Sequence, residues 1–137
     1  MKNFFFFLLS IILLTSCSVK EVQQKTAEDL VVQIMVSGQW SVVNYTKGSM
    51  DLTSEFDPYK FQFQKNRTVD ALKNAVIEKS GTWDADANAR TITSNFINAN
   101  QTLSLLNGTW TITNTTLTSV DANQTVGGEL RILKLKK

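Results

Sequence analysis

The 137-residue sequence predicts an all-β protein, a small antiparallel up-and-down β-barrel of about eight strands behind a leader peptide and a short N-terminal helix. Three observations carry that prediction. From Gly38 onward, period-2 segments rich in Thr, Val, Ile and aromatics recur every ten or so residues, the pattern of short strands joined by turns. No span between them is long enough for a crossover helix, which disfavours parallel pairing. Finally, every tryptophan stands two places after a glycine: Gly38-Gln39-Trp40, Gly81-Thr82-Trp83 and Gly108-Thr109-Trp110. Glycine lets a chain turn sharply into a strand, and the indole that follows fills the interior.

The chain opens with Lys2 and the apolar run Phe4–Leu14, broken only by Ser10. Such a run matches the core of a secretory signal, whereas a bilayer-spanning helix needs about 20 residues. Leu14-Thr15-Ser16-Cys17 follows and resembles the lipobox of bacterial lipoproteins: an aliphatic residue, two small ones, then the chain's one cysteine. The resemblance implies a signal peptide over 1–16 and cleavage before Cys17. It also implies lipidation of that thiol by palmitate-type chains, with the protein held on the outer membrane of a bacterial cell envelope, facing the periplasm or the surface. Each buried CH₂ of the acyl chains contributes about 0.8 kcal/mol to that anchoring. With Cys17 acylated no thiol remains for a disulfide, so the fold stands on its core.

Residues 17–25 are polar and read as a tether, and 26–137 as the folded domain. Thr26, with Asp29 in capping-box position, starts a helix; Leu30, Val31, Ile34 and Met35 share a face, and Gly38 ends it. The β-branched "LVVQIMV" leaves a strand open as the rival, and the capping signals favour the helix. "QWSVVNYT" is the first strand, with Trp40 and Val42 on one face and Val43 and Tyr45 on the other. Residues 48–60 form one long polar loop carrying Phe56 and Tyr59. "YKFQFQ" and "TVDALK" make a hairpin around "KNR". "GTWDADANARTITSNF" and "NGTWTITNTTLTSV" are two copies of one hairpin pattern, "QTLSLL" between them reads as a further strand, and "ELRILKLKK" closes the chain.

Charge and composition remove several functions. Lys and Arg number 14 against 12 Asp and Glu, too even for a nucleic-acid-binding field. Histidine is absent, so the usual general base and commonest metal ligand are missing, and no Ser or Cys triad of the ordinary kind can be assembled. No carboxylate lies in an apolar stretch that would raise its pKa. The chain is therefore expected not to be an enzyme and to carry no cofactor or metal. Asp84, Asp86 and Asn88 have the alternate spacing of calcium-loop ligands, but Ala89 and Asn95 stand where an EF-hand needs Gly and Glu. An acidic hairpin turn is the favoured reading of them, with calcium binding as the alternative.

Gly38-Gln39-Trp40 opens the first strand directly after a helix, and the last strand carries Arg131. On these residues, over about 30–137, the chain resembles the lipocalin superfamily, and more closely the lipocalin-like domains of small bacterial lipoproteins. The resemblance implies that Gly38, Trp40 and Arg131 close one end of the barrel, with the Arg131 guanidinium stacked on the Trp40 indole. It also implies a monomer that binds a small apolar or amphipathic molecule in the barrel mouth. Val42, Phe61, Phe63, Trp83, Ile92, Trp110 and Ile112 are the candidate lining residues. A barrel this small can also fill its own interior. The alternative is then an envelope module that binds another protein, or inhibits an enzyme, through its loops, and an exposed aromatic patch around Tyr45, Phe56 or Tyr59 would favour it.

Overall fold

A computed structural model describes residues 19–137. The leader and Cys17 lie outside the described residues. Helix α1 (Val19–Val36) precedes nine strands: β1 (Ser41–Lys47), β2 (Met50–Asp51), β3 (Tyr59–Phe63), β4 (Thr68–Lys73), β5 (Val76–Asp86), β6 (Thr91–Asn95), β7 (Gly108–Thr115), β8 (Ser119–Val126) and β9 (Glu129–Lys136). A 3-10 turn (Thr53–Phe56) sits between β2 and β3, and a one-turn helix α2 (Gln101–Ser104) between β6 and β7. All pairings are antiparallel, in the order β2-β1-β9-β8-β7-β6-β5-β4-β3. The all-β, up-and-down architecture is thus the one the sequence predicts.

The sheet curls until its ends touch. Trp40, just before β1, exchanges both backbone hydrogen bonds with Phe61 of β3, at 2.9 and 2.8 Å. Because connections in a meander alternate between ends, the α1–β1 junction shares one end with the β3–β4, β5–β6 and β7–β8 turns. The other end carries α2, the 3-10 turn and the β8–β9 turn. We call these the α1 end and the α2 end.

Alternation places Tyr59, Phe61, Phe63, Val69, Ala71, Trp83, Ile92, Trp110, Val120, Ala122, Leu133 and Leu135 inside, and most are fully buried in one cluster. β1 departs from the expected alternation. A bulge between Val42 and Asn44 inserts one residue, so Tyr45 turns inward with Val42 while Val43 is left half exposed. Phe56 and Tyr59, expected on an open loop, are also buried, and they draw residues 48–60 over the α2 end.

Two further expectations are corrected. α1 begins at Val19 and not at Thr26, so the backbone of residues 19–25 is already helical. "QTLSLL" is α2 and not a strand: the Asn100 side chain caps it by accepting from Leu103 N at 2.9 Å, and Leu103 and Leu106 are buried together three residues apart.

Gly81 shows how tightly the curl is drawn. A Cβ there would lie 2.6 Å from the Asn95 carbonyl oxygen and 2.7 Å from the Phe96 ring. Backbone cannot swing aside as a side-chain tip can. Gly81→Ala is therefore expected to cost about 1–3 kcal/mol, read from the midpoint of urea unfolding.

Candidate functional site: the barrel interior

The three Gly-x-Trp motifs resolve into one side-chain role and different backbone roles. Each indole is buried and donates its N–H to a backbone carbonyl: Trp40 to Met35 at 2.8 Å, Trp83 to Gln64 at 3.0 Å, Trp110 to Leu106 at 2.9 Å. Each thereby pins the segment that leads into, or crosses beside, its strand, and satisfies a polar atom that burial would otherwise leave unpaired. The glycines differ. Gly38 turns the chain out of α1, Gly81 permits the close approach of β6, and Gly108 adopts φ +105° where a Cβ would stand 2.4 Å from the Gln124 amide nitrogen.

Trp40 is fully buried at the α1 end, as expected of a closing residue. Its cation is different from the expected one. Lys137 Nζ lies 4.8 Å from the Trp40 ring centroid, and Lys137 N is held by the Thr118 carbonyl at 3.0 Å. Arg131 stands in register with Lys47 of β1 and Gln124 of β8, toward the α2 end, where its charge acts on the Tyr45 phenol instead. The expected Arg131–Trp40 stack is absent because the two residues lie about six positions apart along the β1–β9 ladder, more than a side chain's reach at roughly 3.4 Å per residue.

An apolar cavity of about 40 Å³ lies inside the barrel, lined by Met35, Phe61, Phe63, Val69, Ile92, Phe96, Trp110, Ile112, Val120, Ala122, Leu133 and Leu135 among others. Five of the seven candidate lining residues are on it: Phe61, Phe63, Ile92, Trp110 and Ile112. Val42 and Trp83 are buried but not on its wall. Trp83 instead packs edge-on against Phe63 at 5.3 Å and under the Arg67 guanidinium at 5.1 Å. Ile92 and Ile112 face inward yet are only half buried, so the cavity's mouth is at the α1 end. Met35, the last buried residue of α1, reaches into that mouth. Val31, Val32, Ile34 and Val36 seat the rest of the helix against the core.

The α2 end is closed and polar. Tyr45 donates its hydroxyl to the Leu105 carbonyl at 2.9 Å. The Tyr59 hydroxyl donates to Glu78, while Asn100 Nδ2 donates to Tyr59 at 2.8 Å and to Glu78 at 3.2 Å. Asn100 therefore caps α2 and also ties it to β3 and β5. Burial raises the Tyr45 phenol above its ordinary 10.0, against the opposing pull of Arg131. Burial and the Glu78 carboxylate raise Tyr59 likewise. The folded protein thus holds these protons more tightly than the unfolded chain does. Their stabilising contribution is intact below pH 10 and is lost as the pH climbs through the raised values. Unfolding free energy measured across pH 9–12 is expected to fall above pH 10, and Tyr45→Phe should flatten that fall.

The acidic turn is held by local contacts. Asp86 accepts from Ala89 N at 2.9 Å, and Asp84 lies 3.1 Å from Arg67 Nη1, a charge contact rather than an aligned hydrogen bond. Among the described residues no group of three or more His, Cys, Asp or Glu could hold a metal ion, and no helix is long and apolar enough to cross a membrane. No aromatic patch forms around Tyr45, Phe56 or Tyr59, all three being interior.

No family model and no curated protein matches the sequence. Among solved structures, the crystal structure of a DUF4847 family protein from Bacteroides vulgatus ATCC 8482 is similar in fold, with a TM-score of 0.55 at 16% identity over 77% of this chain and 96% of that one.

Proposed function

We propose that the chain is a non-enzymatic, lipid-anchored protein of the bacterial envelope, tethered through Cys17, whose barrel takes up a small apolar or amphipathic molecule at the α1 end. The observation that supports this reading is the apolar cavity with Met35 of α1 in its lining. At about 40 Å³ the cavity is far below the roughly 300–1,000 Å³ of sites for drug-sized ligands. It holds a few water-sized groups at most. Uptake of an acyl chain therefore requires the Met35 side chain to swing out. Methionine suits that role because three rotatable bonds and a polarisable sulfur let it repack at low cost. Ligand would replace Met35 against Phe61, Phe63, Ile92 and Ile112, with each Å² of apolar surface buried contributing about 25 cal/mol.

The test is native mass spectrometry of the full chain purified from membranes, followed by solvent extraction of whatever it carries. One molar equivalent of an apolar or amphipathic compound is expected, and tryptophan emission should respond to added medium-chain amphiphiles. An empty protein, indifferent to a panel of such amphiphiles, would contradict the reading.

A further inference from the structure

One rung beyond the cavity wall lie two buried polar atoms without a hydrogen-bond partner, Gln124 Oε1 and Arg131 Nε. The inward faces of β8 and β9 form successive cross-strand rungs: Val120 with Leu135, Ala122 with Leu133, then Gln124 with Arg131. The first two rungs line the cavity, and the third is the next step toward the α2 end. Gln124 is only 8% exposed. Its Nε2 donates to the Asn107 and Thr109 carbonyls of the β7 side, at 3.2 and 3.4 Å. That anchoring turns Oε1 away from β7, and Oε1 is buried without a partner. Across the same rung, Arg131 Nε is also buried without a partner. Among the described residues no carboxylate lies within 4.0 Å of the Arg131 guanidinium. Leaving such a donor and such an acceptor unpaired is costly, on the order of 1–3 kcal/mol for each group.

An acceptor and a donor on one rung define what fits between them. A carboxylate would satisfy Arg131 but set its own oxygen against Gln124 Oε1. An ether would accept from Arg131 and leave Oε1 unpaired. A hydroxyl does both: it accepts from Arg131 Nε–H and donates to Gln124 Oε1. Resting on the ligand-binding reading above, we infer that Gln124 and Arg131 form the polar subsite of the barrel, selecting an amphipathic molecule with a neutral terminal hydroxyl whose chain lies on the two apolar rungs. Gly108 belongs to the same device, since any side chain there would displace the Gln124 amide from its two carbonyls.

The test compares three probes of equal chain length on the full chain, 1-decanol, its methyl ether and decanoate, by calorimetry or tryptophan emission. 1-Decanol is expected to bind about tenfold tighter than either of the others, the worth of one buried donor–acceptor match. Gln124→Met should erase that preference while leaving the ether's affinity unchanged. Equal affinity for all three probes would overturn the hydroxyl subsite and leave the apolar pocket standing. Tightest binding by decanoate would overturn it too, in favour of a plain anion site at Arg131. Failure of every probe to bind would defeat the pocket itself. Should Gln124→Met not fold, the ranking of the three probes on the unaltered protein decides the matter alone.

Discussion

Trp40→Ala is expected to destabilise the protein by about 3–5 kcal/mol, the range for deleting a buried aromatic side chain. Two losses coincide at this residue. The indole is fully buried, and its N–H holds the Met35 carbonyl at the end of α1, beside the backbone bridge to Phe61 on which the sheet closes. The Lys137 ammonium over the ring would also lose its partner. Trp40→Phe separates these effects, since it keeps ring bulk but strands the Met35 carbonyl, at about 1–3 kcal/mol. Urea unfolding of both variants checks the ranking. A loss below 1 kcal/mol for Trp40→Ala would mean that α1 and the sheet closure do not depend on this indole.

Trp110→Ala is expected to cost a similar 3–5 kcal/mol, but with an opposite consequence for binding. Trp110 lines the cavity, packs edge-on against Tyr45 at 6.1 Å and holds the Leu106 carbonyl that follows α2. Removing it merges the indole's own volume with the existing cavity, and an apolar void of that kind stays dry and takes up small apolar molecules. The variant should therefore melt well below the parent and be raised disproportionately by saturating 1-octanol, as seen in thermal unfolding. A variant equally destabilised but unresponsive to 1-octanol would place Trp110 away from the ligand's path.

The contrast between these two tryptophans bears on what the sequence reveals. Strand identity was legible wherever period 2 runs unbroken: Phe61 and Phe63 alternate against Lys60 and Gln62, and Trp110 and Ile112 share a face, as expected. Periodicity is blind to an inserted residue, so the bulge at Val42–Asn44 and the inward turn of Tyr45 were not visible. Short segments are ambiguous for a related reason. "QTLSLL" carries apolar residues at both spacings, and the side-chain cap from Asn100 decides for helix, a signal readable as Asn before a short apolar run. Composition likewise misplaced Phe56 and Tyr59, because a polar loop can still fold two aromatics inward when an open barrel end offers them a core.

The interior was legible as a set more than as a geometry. Five of seven candidate residues share the cavity, since inward-facing positions of adjacent strands converge once the sheet curls. Which cation covers Trp40 depends on ladder register, and register is a long-range property that spacing along one strand does not encode. Arg131 is in the last strand, as the resemblance implied, but register carries it down to Tyr45 and Gln124 while Lys137 reaches the indole. The polar rung was missed altogether. Its only trace in the sequence is a glutamine alternating with Val120 and Ala122 on an otherwise apolar face.

Residue-resolved amide hydrogen exchange at Trp40 and Phe61 tests the central claim most directly. A sheet whose two ends truly meet protects both amides to the same degree as the middle of the β8–β9 ladder. Exchange at those two positions as rapid as in the exposed turns would show an open, unclosed sheet, and neither the cavity nor the polar rung at its base could then exist as described.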